Sequence, residues 1–339
     1  MSQPLAEFTT LRLGGPAERV VTATSTADLV NAVRAADARR ERVLVVGGGS
    51  NLVVGDNGWA GPAVLVRTTN VAVRTTATQA TVTADAGVTW DDLVADSVAA
   101  GWSGLAAMSG IPGSTGGTPV QNVGAYGSEV ADVVTGVQVL DRHTGAVEDW
   151  PAERCAFSFR SSAFKHTDRF VVLTVTFGLP VETDAPPIRY AELARRLDVE
   201  VGERAASKDV REAVLALRAS KGMVLDASDH DTWSVGSFFV NPFVDETLVP
   251  DGCPHWPTDE GIKLSAAWLI EHAGFGKGFG LDRGDGRVAL STKHTLALTN
   301  RGGATTAELL ALAAVIRDGV EGRFGIRLRP EAHLVGVEF

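Results

Sequence analysis

Two glycine-rich segments carry the residue types that hold an anionic ligand with backbone rather than with charged side chains. Gly47, Gly48 and Gly49 let main-chain N–H groups approach an anion closely, and Ser50 and Asn51 add side-chain donors. The alternative for this loop is an ordinary turn between two strands. It is not a dinucleotide fingerprint, because G-x-G-x-x-G is absent, and it lacks the lysine of a phosphate-binding loop. The later GFGKGFG at 274–280 has the wrong spacing and no strand before it. The second segment, MSGIPGSTGGTPVQNVGAYG at 108–127, contains no charged side chain. Its exposed backbone and small side chains suit a long, flat, partly apolar ligand that brings its own phosphates, as a flavin dinucleotide does. A well-packed structural loop is the alternative.

The chain that must position these loops has 339 residues, 45% of them hydrophobic, which is enough for a sizeable core and points to two domains or one with a large insertion. Lys plus Arg number 31 against 41 Asp plus Glu, a net charge of -10 that repels a nucleic-acid backbone. Cys155 and Cys253 stand alone, outside any zinc spacing, and His230 and His255 have no partnered spacing, so no metal is expected. MSQPLAEFTT lacks a signal pattern, and no run approaches about 18 apolar residues, so a soluble, unexported protein is expected.

A strand over 18–23 precedes a helix opened by Ser25, Thr26 and Asp28, with Leu29, Val30 and Val33 as its apolar stripe. The apolar run 43–46 delivers the first glycine loop, and another short strand follows at 52–54. Thr89 and Asp92, at capping-box spacing, open a helix over 89–100 that Gly101 stops. Strands at 133–140 and 146–150 flank a turn at 141–145, and 170–177 is a further strand. Residues 180–187 read as a surface connection, followed by helices over 190–197 and from Ser207 to Gly222, where a domain boundary is placed. Beyond it lie a short sheet signal in SFFVNP, a helix over 264–272, strands at 288–290 and 296–299, and a capped helix starting at Thr305 or Thr306.

GGGSN at 47–51, SGIPGSTGG at 109–117, NVGAYG at 122–127 and GSFFVNP at 236–242 follow the order and rough spacing of the UDP-N-acetylenolpyruvoylglucosamine reductase family, which the chain resembles throughout. The resemblance implies an α+β fold: a two-part FAD-binding domain of the p-cresol methylhydroxylase/vanillyl-alcohol-oxidase type plus a smaller α+β substrate-binding domain. On that basis residues 1–221 are the FAD-binding domain, in subdomains of about 1–68 and 69–221. Residues 222–325 bind substrate, and 326–339 return to the active site. FAD is held non-covalently by Gly47, Gly48, Gly49, Ser50, Asn51, Ser109, Gly110, Ile111, Pro112, Gly113, Ser114, Gly116, Gly117, Asn122, Gly124, Ala125, Tyr126 and Gly127.

The same resemblance assigns the chemistry. Arg160, in FSFRSSAFK, matches the family's catalytic arginine, a guanidinium that pairs the enolpyruvyl carboxylate and stabilises charge growing there. Ser237 matches the proton donor, a poor acid that needs neighbouring charge to assist it. Glu331, in RLRPEAHLVG, matches the catalytic glutamate, either protonated and bonded to the enediolate or ionised and orienting Ser237 or water. Tyr190 and Asn241 are the implied substrate contacts, and Lys263 joins them as a candidate. A family lysine is missing between 224 and 235, where Asp226, Asp229, His230 and Asp231 stand instead, so Lys221 or Lys263 is left for the substrate diphosphate.

The implied reaction is reduction of UDP-N-acetylglucosamine enolpyruvate to UDP-N-acetylmuramate with NADPH as hydride donor, the two substrates using one pocket in turn. It belongs to peptidoglycan precursor synthesis in the cytoplasm, and so to cell-wall biogenesis, cell shape and cell division. No nucleic acid, membrane insertion or obligate protein partner is expected. Another FAD-dependent oxidoreductase on the same scaffold, or a non-catalytic flavin or nucleotide-sugar binder, remain the alternatives.

Overall fold

A computed structural model describes residues 3–339; residues 1 and 2, the start of the expected FAD-binding domain, lie outside the described residues. The chain divides into two compact units, 18–48 with 60–219, and 1–17 with 49–59 and 220–339. The boundary near 220 lies beside the one expected from the helix ending at Gly222, whereas 1–17 and 49–59 group with the C-terminal segment instead of with the rest of 1–221. For 49–59 the cause is strand pairing: Leu52–Val54 lies parallel to His333–Val335.

In the unit built on 18–48 and 60–219, the helix Thr26–Ala38 opens with a capping box between Ser25 and Asp28 and buries Leu29, Val30, Val33 and Ala36. A small sheet has the order Ala17–Ala23, Trp59–Val66, Leu44–Val46. Its parallel pair, Leu44–Val46 on Trp59–Val66, ends where Gly47 begins. A larger antiparallel sheet has the order Val147–Pro151, Val134–Asp141, Phe170–Pro180, Gln79–Asp85, Val71–Thr75. Phe177 from its centre meets Trp90 of the helix Trp90–Ala99, with ring centroids 5.9 Å apart. The expected box at Thr89 does not form, because the Thr89 side chain makes no capping bond. A satellite core of Ile188, Leu193, Val210 and Val214 joins the helices Ala191–Leu197 and Ser207–Ser220.

The other unit is organised by the helix Thr306–Phe324, which buries Leu309, Leu312, Ala313, Ile316 and Val320. Its start is satisfied twice, by a Thr305/Glu308 capping box and by Asp56, which accepts the N–H groups of Thr306 and Ala307 at 2.8 and 2.9 Å. Gly325, at φ 69°, ends it. SFFVNP is not a strand: the strand begins after it, at Phe243–Val244, because Pro242 has no N–H to give a ladder. The helix expected from 264 begins at Ala266, with Ser265 as its cap. Among the described residues no helix is long and apolar enough to cross a membrane.

Candidate active site

The strand Leu44–Val46 delivers Gly47 and Gly48 to the second glycine segment. A Cβ on Gly47 would push Ser114 Oγ aside, and one on Gly48 would lie 2.5 Å from Gly113 Cα, backbone that cannot swing away, so Gly48 admits only glycine. Arg67 holds the first loop's start, donating to Gly47 O at 2.9 Å. Among the described residues, the N–H groups of Gly48, Ile111, Gly113 and Ser114 donate to no protein acceptor, and none of these residues carries charge. Close-packed backbone with spare donors fits the phosphates of a dinucleotide such as FAD.

The second segment is ordered by its own backbone. Trp90 donates from its main chain to Gly113 O and from its indole to Met108 O, both at 3.1 Å. Thr115 and Gly116 N–H bond to Val88 O and Ala86 O at 2.8 and 2.9 Å. The residues expected at the cofactor separate by what surrounds them. A Cβ on Gly116 would meet Ala86, and one on Gly124 would lie 2.6 Å from Ser128 O, so packing alone requires both glycines. Gly117 faces open space. Ser109 is buried and spends its hydroxyl on Ala106 O, and Ala125 pairs with Ser128 in a two-residue ladder. Asn122 is buried with its amide turned inward, onto Glu129 and Ser158.

One brace was not anticipated. Asp91 accepts the Gly110 N–H at 2.6 Å and forms a paired bridge with Arg211 at 2.6 and 2.9 Å. Burial pushes the Asp91 carboxyl up, but the Arg211 and Gly110 bonds outweigh it and hold the group below its ordinary value. Its only sequence signal was an acid in the first turn of a helix, which reads as dipole compensation. Near it, burial lowers the pKa of the Arg218 guanidinium and raises that of Tyr126 to about 12. Tyr190 is 45% exposed and sets its ring edge-on to Tyr126, 5.5 Å away.

Arg160 belongs to this unit. It stands in the left-handed region at φ 51° and donates to Asn122 O at 3.3 Å and Gly124 O at 2.7 Å. Left-handed backbone at a residue with a side chain is a strain that functional sites store.

Ser237 and Glu331 belong to the other unit, and the structure brings their backbones together. Gly236, at φ 75°, turns the chain into Ser237. The next residue, buried Phe238, takes the Glu331 N–H on its carbonyl at 2.8 Å, and Phe239 bridges to Pro330. Asn51 is part of the same place: its amide donates to Glu331 O at 3.4 Å and its carbonyl accepts from His333 at 2.9 Å. Asn241 spends its side-chain oxygen on the Ala266 N–H at the start of a helix, 2.9 Å away. Lys263 lies 5.6 Å from the Trp256 ring centroid.

The stretch without the expected lysine is held by Asp231. This carboxylate accepts Thr292 N–H at 2.8 Å, Thr292 Oγ1 at 2.5 Å and Arg301 at 2.7 Å. Burial raises its pKa, and these bonds lower it further than burial raises it. Lys293 pairs with Asp229 at 2.5 Å, which raises the pKa of its ammonium.

Comparison with known proteins identifies the family. Residues 17–150 match an FAD binding domain, and residues 228–335 match the C-terminal domain of UDP-N-acetylenolpyruvoylglucosamine reductase. The enzyme of that name from Salinispora arenicola is 57% identical, over 98% of this chain and 94% of its own length. The one from Cutibacterium acnes is 50% identical over 98% and 89%. A crystal structure of the Thermus caldophilus enzyme superposes with a TM-score of 0.67 at 23% identity, covering 99% of this chain and 98% of that one. The α+β class with an FAD-binding domain is as expected.

Proposed function

We propose a division of labour within a chain that belongs to the UDP-N-acetylenolpyruvoylglucosamine reductase family. The protein is an FAD-dependent oxidoreductase that reduces UDP-N-acetylglucosamine enolpyruvate to UDP-N-acetylmuramate, a peptidoglycan precursor. Held by the two glycine segments, FAD would supply the two-electron chemistry that links NADPH oxidation to reduction of the enolpyruvyl double bond. The observation that carries the reading is 57% identity to a reductase of that name along 98% of the chain.

The chain's own residues then act as follows. Backbone N–H groups of the two glycine segments bind the cofactor's phosphates. The Arg160 guanidinium pairs the substrate carboxylate and offsets the negative charge that hydride addition places on the adjoining carbon and carboxylate. Ser237 Oγ gives its proton to that carbon, so one hydride and one proton complete the reduction of the double bond. Glu331, whose backbone is tied beside Ser237, orients that hydroxyl or the water that reprotonates it. Tyr190, Asn241 and Lys263 contact the nucleotide-sugar, Asn241 with what its helix-capping role leaves over. Functionally, 1–221 serve the flavin, 222–325 the substrate, and 326–339 bring Glu331 back; the protein works in the cytoplasm and feeds wall growth, shape and division.

The test is anaerobic stopped-flow absorbance of the flavin-loaded protein. NADPH bleaches the oxidised-flavin band, and UDP-N-acetylglucosamine enolpyruvate restores it. Bleaching without recovery moves the second substrate to another class, and protein unable to bind flavin overturns the reading of both glycine segments.

A further inference from the structure

Asn122 sits within a glycine-rich cofactor segment, yet its side chain turns away from any ligand role. It is 1% exposed and adopts the left-handed φ of 44°. Its amide nitrogen donates to Glu129 Oε2 at 2.7 Å and to Ser158 O at 3.1 Å, and its amide oxygen accepts the Ala131 N–H at 3.1 Å. Two acceptors on one end and a donor on the other admit a single orientation of the amide. One buried side chain thereby ties three segments together.

One of those segments is the turn that carries Arg160. Ser158 and Ser161 close it with reciprocal backbone bonds of 3.1 Å, leaving Phe159 and Arg160 at its two corners. Asn122 meets this turn twice: its side-chain amide holds the carbonyl of Ser158, and its main-chain carbonyl receives the Arg160 guanidinium at 3.3 Å. Two further holds come from Gly124 O, which accepts the guanidinium at 2.7 Å, and from Lys165, which donates to Arg160 O at 2.6 Å. A long flexible side chain and a left-handed corner have many other arrangements, and these bonds select one.

We propose that Asn122 is a positioning residue that presets Arg160 for the substrate carboxylate, and that its side chain is not a ligand of the cofactor. The proposal rests on the reading of Arg160 given above. Its consequence is a separation of half-reactions: what Asn122 organises matters when the enolpyruvyl substrate is reduced and not when the flavin is.

Asn122→Asp keeps the acceptor for Ala131 and the side-chain shape, loses both donated bonds, and sets a carboxylate against Glu129. In the flavin-loaded variant, FAD affinity, the visible flavin spectrum and the rate of bleaching by NADPH stay within about 3-fold of the parent. Recovery on UDP-N-acetylglucosamine enolpyruvate slows by about 100-fold, the loss that misplacing a reacting group by an ångström brings. The double variant Asn122→Asp with Glu129→Gln restores a donor to residue 122, and with it stability, but leaves Ser158 O without its amide donor. Its recovery therefore remains slow. Asn122→Gly, which suits the left-handed φ, gives the same split should the aspartate variant not fold.

Equal loss in both half-reactions, weakened FAD binding, unchanged recovery, or full rescue of recovery by Glu129→Gln each overturns the proposal. Arg160→Ala separates the two levels of the reading. If it recovers at the parent rate, the role of Arg160 falls and the proposal with it. If it is slow while the Asn122 variants are fast, only the proposal falls.

Discussion

Gly48→Ala tests whether the two glycine segments form one cradle. A methyl there lies 2.5 Å from Gly113 Cα and 2.8 Å from its carbonyl carbon. Ordinary carbon–carbon contact needs about 3.5 Å, so the loops must part by about 1 Å, and both sides are backbone that cannot swing aside. Overpacking of this kind costs about 1–3 kcal/mol. If the apoprotein relaxes and the bound form cannot, the whole cost falls on FAD affinity, a rise in Kd of about 5- to 150-fold. Titrating apoprotein with FAD by fluorescence quenching reads that part, and urea unfolding with and without FAD reads the remainder. Gly117→Ala is the comparison: its methyl meets nothing within 4 Å, so the urea midpoint without FAD stays put and any effect is confined to FAD affinity. An unchanged midpoint together with an unchanged FAD affinity for Gly48→Ala refutes the close approach of the loops. A loss of stability with no change in FAD affinity refutes their role as a cradle.

Ser237→Ala leaves bleaching by NADPH nearly intact and slows recovery on the enolpyruvyl substrate by about 10²- to 10⁴-fold; parallel loss in both half-reactions sinks the proton-donor role. Arg160→Lys slows the same step, because an ammonium has no paired donors for a carboxylate, and the check is the recovery rate at saturating substrate. Asp231→Ala leaves Arg301 and Thr292 without their buried partner and lowers stability by about 3–5 kcal/mol in urea unfolding. The Asp231 carboxyl is held below its ordinary value in the fold, so its contribution is present above the unfolded value of about 3.9 and is lost as pH falls through the folded one. The urea-stability gap between parent and Asp231→Asn therefore narrows in acid, and a gap that widens there contradicts the assignment.

What the sequence made legible was local. The Ser25/Asp28 and Thr305/Glu308 boxes form as their spacing implies, whereas Thr89 fails because Trp90, one residue on, is drawn into the core and onto Met108 and Gly113. Trp59–Val66 was missed because Gly61 and Pro62 interrupt it, although six of its residues are buried in a row. Val71–Thr75 is exposed along its whole length, so it has no inside face to make an alternating pattern. Gln79–Asp85 does alternate, but with threonines and alanines too mild to stand out.

The candidate site divides in the same way. Glycine loops announce themselves because their function is to lack side chains, a property written at each position. Braces do not: Asp91 finds Arg211 120 residues away, Asp231 finds Arg301 70 residues away, and Asn122 finds Ser158 36 residues away. Each is a common polar residue whose ordinary surface or turn reading is correct until the fold supplies its partner. On the proposal above, the side chain of Asn122 serves the arginine turn and not the cofactor expected of its segment. Its neighbours in NVGAYG mark a cofactor segment, and a residue inside such a segment inherits the segment's role unless its own hydrogen bonds are counted. Once they are counted, both amide hydrogens are spent inside the protein, and the buried side chain is accounted for by the arginine turn beside it.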